Sequence, residues 1–289
     1  MVFINPRTDF AFKKIFGSEE NKDILISFLN ALLYEGQKTI KDLEILNPYQ
    51  APKIKGFKDT YLDVKAQLNN GKTVIVEMQV LNVEGFEKRI LYNAAKAYSI
   101  QLNRGEEYAL LNPVIALTIT NFKMFEFEKM ISAFVMKEKK LFTDYGDNDI
   151  ELVFVELPKF KKKLEELETI TDNWLYFMKM AKKLDTVPPN MEKIIEINRA
   201  FQVAKEANFT PEELEELQQR EIFIQDQFNA IKLARRLGIE EGVEKGKKEG
   251  RKEEKTEIAQ QLLSVLDDET ISRTTGLSLE EVKKLRAGN

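Results

Sequence analysis

Two hydrophobic periods alternate along the chain. Ile24, Leu25, Phe28, Leu29 and Leu32 recur at helical spacing and predict an amphipathic helix over roughly 20–34, ended near Gly36. A shorter helix is expected from Asp9 to Phe16, with Thr8 as N-cap and Gly17 as stop. Asp42 to Leu46 reads as a short strand before Asn47-Pro48. From Tyr61 the period changes to two. Leu62, Val64, Ala66 and Leu68 alternate with polar residues, and Val74, Val76, Met78 and Val80 do the same.

Between these strands, Asn69-Asn70-Gly71 reads as a three-residue hairpin loop with Gly71 left-handed. That loop sets the register: Leu68 opposite Lys72, Ala66 opposite Val74, Val64 opposite Val76, Leu62 opposite Met78. A two-residue turn at Asn70-Gly71 would set apolar residues against polar ones. The even positions then share one apolar face. On the other face Asp63 becomes the cross-strand neighbour of Glu77, with Cβ atoms about 5 Å apart. Lys65 and Gln79 lie on that same face.

A long helix is expected from about Glu84 to Arg104, stopped by Gly105. Phe86, Ile90, Ala94, Ala97 and Ile100 or Gln101 trace its inner side, whereas Arg89, Tyr92 and Lys96 share another. Val114 to Ile119 reads as a strand buried on both faces, and Ile150 to Leu157 as a further strand. The order predicts an α/β sandwich. Residues 1–157 form this core, 158–232 a helical extension, and 233–289 a charged tail. The extension carries helical patterns near Asn173–Leu184 and Asn190–Asn208, and Thr210-Pro211-Glu212-Glu213 opens a long helix. In the tail, Gly238, Gly242, Gly246 and Gly250 fall four apart. They suit either close helix approach in a homo-oligomer or a weak, solvated spacer helix. Ile258–Leu266, Thr270–Thr275 and Ser278–Leu285 predict three short helices, a unit that can bind DNA or dock a protein.

Composition narrows the chemistry. The 289 residues include no cysteine and no histidine. That excludes a histidine base, Ser-His-Asp and Cys-His arrangements, Cys/His zinc sites and disulfides. Acid–base or metal chemistry falls to Asp, Glu, Lys, Arg, Tyr or water. No apolar run reaches the length of a membrane span or secretory signal, so a soluble cytoplasmic protein is expected. The net charge is −4, yet the first hundred residues hold 14 Lys and Arg against 12 Asp and Glu, a weak leaning of the core toward DNA.

The chemistry centres on Asp63 and Glu77. Two carboxylates side by side repel, and a hard divalent cation resolves the repulsion, taking one or two carboxylates and keeping water. The Met78 carbonyl can add an oxygen. Alternatively, both acids are solvated polar residues on an exposed sheet face. In a rival parse, Asp63-Val64-Lys65 supplies the acid-x-Lys element, with Asp42 or Asp59 upstream.

Asp63, the hairpin and Glu77-Met78-Gln79 resemble the PD-(D/E)XK nuclease core, an αβββαβ scaffold with an Asp on one strand and acid-x-Lys on the next. The flanks extend the likeness over nearly the whole chain. Pro6-Arg7-Thr8-Asp9-Phe10-Ala11-Phe12-Lys13-Lys14-Ile15-Phe16-Gly17, Phe28 to Leu33, the Phe86–Tyr108 segment, Glu156-Leu157-Pro158-Lys159-Phe160 and Trp174 resemble the Rpn (recombination-promoting nuclease), PD-(D/E)XK transposase family. The resemblance implies a restriction-endonuclease-like fold with a helical C-terminal extension. It also implies a metal-dependent DNA endonuclease that promotes recombination. Asp63 and Glu77 would hold Mg²⁺ or Mn²⁺. Gln79 stands where the wider superfamily has lysine and can orient water but brings no charge. Lys65 can take the charge role or be a plain strand lysine. Asp9 approaches the metal or caps its helix. Lys13, Arg89 and Lys96 are candidate phosphate contacts or solvated charges, with Tyr92 as a stacking or hydrogen-bonding neighbour.

Overall fold

A computed structural model describes residues 3–50, 60–146 and 148–288. Asp59 of the rival parse lies outside them. Helix α1 (Asp9–Phe16) begins after an extended Thr8, whose hydroxyl donates to the Asn5 carbonyl at 3.0 Å instead of capping the helix. The Gly17 N–H closes it on the Lys13 carbonyl. Helix α2 (Lys22–Leu33) follows. Phe12, Phe16 and Phe28 of these helices pack with Trp174 in one aromatic cluster.

The main sheet has six strands: β1 (Leu43–Leu46), β2 (Val64–Leu68), β3 (Thr73–Gln79), β4 (Val114–Thr120), β5 (Ile131–Phe134) and β6 (Ile150–Glu156). Their spatial order is β1-β2-β3-β4-β6-β5. β1, β2 and β3 are antiparallel, β3 to β4 and β4 to β6 are parallel, and β5 runs antiparallel to β6. Gly71 takes φ +85° in the hairpin loop, and Val64 pairs with Val76 and Ala66 with Val74, the expected register. Val64, Ala66, Leu68, Val74, Val76 and Met78 bury one face beneath α1 and α2.

Leu62 departs from the expected alternation. The ladder starts at Val64, so Leu62 does not pair with Met78. Its N–H donates instead to the Pro48 carbonyl, and its side chain packs with Ile75, Ala94 and Ala97 on the opposite face. The chain bends at Asp63, and that bend moves Leu62 across the sheet.

Helix α3 (Phe86–Ser99) links β3 to the parallel β4 and covers this second face. It ends well before the expected Arg104. The Gln101 side chain instead brackets Asn112, donating to its carbonyl at 2.9 Å and accepting its N–H at 2.8 Å. Every residue of β4 is buried, as expected for a strand covered on both sides. The order α1, α2, β1, β2, β3, α3, β4 contains the αβββαβ arrangement.

Helices α4 (Ile170–Met180) and α5 (Ile195–Val203) bury Trp174, Phe177 and Phe201 in the same core as α1 and α2. Helix α6 (Pro211–Leu262) opens with the Thr210/Glu213 capping box, the Thr210 N–H donating to Glu213 at 2.9 Å.

The chain divides into two compact units between Gln225 and Asp226. In the second, α7 (Asp268–Thr275) and α8 (Leu279–Ala287) gather Ile271, Leu277 and Val282 with Ala259 and Leu263. The first of the three expected helices, Ile258–Leu266, is the end of α6, which stops at Leu262. A Cβ added at Gly238, Gly242, Gly246 or Gly250 would meet nothing, so these glycines serve no close contact within the described residues. Among the described residues no helix is long and apolar enough to cross a membrane.

Candidate active site

A cavity of about 850 Å³ opens on the α3 side of the β2–β3 ribbon, lined by Asp9, Asp63, Glu77, Gln79, Arg89 and Asn93 among others. Asp63 stands one residue outside the ladder. Its Oδ2 accepts the Met78 N–H at 2.7 Å, so a side chain continues the hydrogen bonding where the backbone bends away. Asp63 and Glu77 are therefore neighbours through this side-chain link and not as a ladder pair. Glu77 is reached from α3, where Asn93 Nδ2 donates to its Oε1.

Buried Asn93 also carries an Oδ1 with no hydrogen-bond partner, an orphaned acceptor beside Glu77. Sequence reading passed over this residue. The available signal was a polar side chain at helical spacing between Ile90 and Ala97, on the inner stripe of α3.

Asp9 enters from the first turn of α1. Lys13 Nζ lies 2.8 Å from Asp9 and 3.7 Å from Asp63, and Arg220 lies 3.3 Å from Asp9. Lys13, offered by the sequence as a phosphate contact or a solvated charge, is thus engaged by carboxylates. Burial pushes Asp63 well above the usual carboxylate range, and the adjoining Asp9 adds to this against the Met78 N–H and Lys13. Burial also pulls Asp9 upward, but its hydrogen bond with Asp63 and the Lys13 and Arg220 charges hold it below its ordinary value. Of the pair, Asp63 is therefore the one that holds its proton more tightly. Glu77 is raised by burial, with Asn93 and Arg89 opposing.

Gln79 is held at both ends of its amide. Nε2 donates to the Leu81 carbonyl at 2.7 Å, and Oε1 accepts from Arg89 Nη2 at 2.6 Å. Arg89 Nη2 lies 3.9 Å from Glu77 Oε2, with the guanidinium 5.1 Å over the Phe86 ring. Tyr92 stands half-exposed on the cavity wall.

Lys96 departs from expectation. It is buried, and its ammonium donates to the Gln50 carbonyl at 2.7 Å. Lys65 shares the α3 face, opposite Ile75, but does not line the cavity, and burial lowers its pKa. Asp42 of the rival parse pairs with Lys22 at 2.6 Å.

Among the described residues no three carboxylates are arranged around a metal position. The donors that line the cavity suit a hard cation retaining much of its water: a carboxylate on β3, a second at the bend before β2, and an orphaned amide oxygen close by. An all-protein cage is absent from the described residues. Such a site can bind anionic oxygen compounds through a cation and supply Arg89 as a fixed positive charge. No curated protein matches the chain, and no solved structure matches it. Residues 6–234 do match a family model, PD-(D/E)XK nuclease family transposase, and with the mixed sheet and the Asp63–Glu77 cavity in place the chain belongs to that nuclease-type family.

Proposed function

We propose that this chain is a DNA endonuclease that hydrolyses phosphodiester bonds with Mg²⁺ or Mn²⁺ and promotes recombination in the cytoplasm. The observation that carries the reading is the opening of Asp63 and Glu77 into one cavity that also holds a fixed arginine. Asp63 and Glu77 would hold the cation, with the Met78 carbonyl as a further oxygen and Asp9 as a neighbour that tunes Asp63. When bound, the cation lowers the pKa of a water and offsets charge building on the scissile phosphate. Asn93 orients Glu77 by donating to its Oε1. Arg89 and Tyr92 face the incoming strand from α3, while Lys13 stays with Asp9 and Asp63.

The test is supercoiled plasmid incubated with the full chain across a metal titration. The expected result is nicking or linearisation only with Mg²⁺ or Mn²⁺, absent in Asp63→Asn and Glu77→Gln proteins that thermal melts show to be folded. Cleavage unaffected by both substitutions rejects the site. Gln79, which brings no charge, favours a second reading as a catalytically inactive module that binds nucleic acid or a protein. DNA binding without turnover at any metal concentration would establish that reading instead. The glycine-repeat tail is either a homo-oligomeric contact or a solvated spacer helix, and the solution mass of the full chain separates the two.

A further inference from the structure

The cavity gathers negative charge. Asp9, Asp63 and Glu77 line it, and a phosphodiester brings another anion whose charge grows on its nonbridging oxygens as the bond breaks. Lys88 and Arg89 are the cations among its lining residues, and of the two Arg89 is the one fixed by a hydrogen bond inside the site. Lys13 is drawn to Asp9, Lys96 to Gln50, and Lys65 does not line the cavity.

From this placement we infer that Arg89, carried in from α3 and held by Gln79, supplies the positive charge that stabilises the scissile phosphate, with Gln79 as its positioning residue. The inference rests on the nuclease reading above and deepens it.

Three features support it. The Gln79 amide is oriented by its Nε2 bond to Leu81, so its Oε1 is presented as an acceptor toward the helix. A lysine at that position would repel the guanidinium, whereas glutamine holds it. Next, the 3.9 Å separation from Glu77 is too long for a tight ion pair, so the remaining guanidinium N–H groups stay free for a bidentate grip on phosphate oxygens. Finally, the Phe86 ring beneath the guanidinium limits where it can swing. A guanidinium stays protonated at any working pH and cannot accept a proton from water. Its contribution is therefore electrostatic, and the attacking water loses its proton elsewhere.

The experiment uses the full chain and measures kcat and KM for DNA cleavage, with DNA affinity measured separately in EDTA. Arg89→Gln is expected to lower kcat by about 10²–10³-fold, the loss typical of one transition-state donor. Metal-free DNA affinity should move by no more than about threefold, because one phosphate contact among several is lost. Gln79→Lys placed in the Arg89→Gln protein restores a cation from the strand side and should recover at least about tenfold of the lost kcat. Wild-type kcat in Arg89→Gln overturns the inference. So does a loss confined to KM and metal-free affinity, which would make Arg89 a binding clamp only. A double variant no faster than Arg89→Gln, with Arg89→Lys equally slow, also overturns it. Wild-type protein that binds DNA but never cuts it fells the nuclease reading itself, a result separable from the others.

Discussion

The two faces of the β2–β3 ribbon are built from alternating residues of the same strands, yet they solve opposite problems. Toward α1 and α2, Val64, Ala66, Val74, Val76 and Met78 are buried against aliphatic and aromatic neighbours. Toward α3, the same strands present Lys65, Ile75, Glu77 and Gln79, and the helix answers with Arg89 and Asn93. Removing apolar surface from water stabilises the first face at about 25 cal/mol per Å². The second keeps two carboxylates above their ordinary pKa by burial and leaves an amide oxygen without a partner. One strand pair thus separates stability from chemistry simply through its pleat, and each face should fail in its own way.

The largest expected effect lies on the polar face. Asp63→Asn and Glu77→Gln should each lower metal-dependent cleavage by at least about 10³-fold, roughly 4 kcal/mol of transition-state stabilisation. Asn at 63 can still accept from the Met78 N–H and donate to Asp9, so folding should survive, and thermal melts check this. A variant that retains cleavage would dissolve the functional half of the comparison.

The aliphatic face should show the reverse. Leu68 is buried in the main core, and Leu68→Ala should cost about 2–5 kcal/mol of stability by urea titration. Cleavage at a temperature where the variant remains folded should be near normal. A loss of cleavage without loss of stability would mean that the two faces are not independent.

Much of this division was legible in the residues. Asn69-Asn70-Gly71 and the strict alternation on either side define the register, because a slip of one residue would expose the whole apolar set. That register set Asp63 and Glu77 on one face, but they are neighbours through the Met78 N–H held by Asp63 and not as the ladder pair expected. What could not be read are features that depend on distant partners. Leu62 changes face because its N–H is taken by Pro48 and because the Asp63 side chain is claimed by Met78. α3 stops early because the loop at Asn112 captures Gln101. β5 is four residues with little alternation, and it forms only because β6 offers an edge. Lys96 shares a helical side with Arg89 by spacing, yet the Gln50 carbonyl draws it into the interior. The partner that orients Gln79 emerges only when α3 is laid on β3.

A smaller effect separates the faces through pH. Glu77 is raised above its ordinary pKa, so the folded chain holds this proton more tightly than the unfolded chain does. Such a group contributes stability that is full below the unfolded pKa and is lost as pH rises through the folded value. Above it, the buried charge opposes folding. Glu77→Gln should therefore melt higher than wild type at pH 7, by about 2–4 °C for each kcal/mol relieved in a chain of this size. The gap should close toward pH 4. Equal melting of the two proteins across this range would mean that Asn93 and Arg89 fully offset the burial of Glu77.

The smallest effect is expected at Lys65, and it sharpens the comparison most. Lys65 lies on the chemical face, opposite Ile75, but stands outside the lining of the cavity. Burial lowers its pKa, so its charge is held at a cost and a neutral side chain of similar length loses little. Lys65→Met should leave kcat within about threefold of wild type, less than the roughly tenfold that 1.4 kcal/mol would give. It should also leave stability unchanged or slightly improved, since the methionine keeps the apolar stem that packs on the sheet. A loss comparable with that of Arg89→Gln would place the positive charge on the strand, and Gln79 would then have no guanidinium role to play. Cleavage kinetics of Lys65→Met beside Arg89→Gln, under one metal concentration and one DNA substrate, therefore decide whether the functional face draws its cation from its own strand or from the helix laid across it.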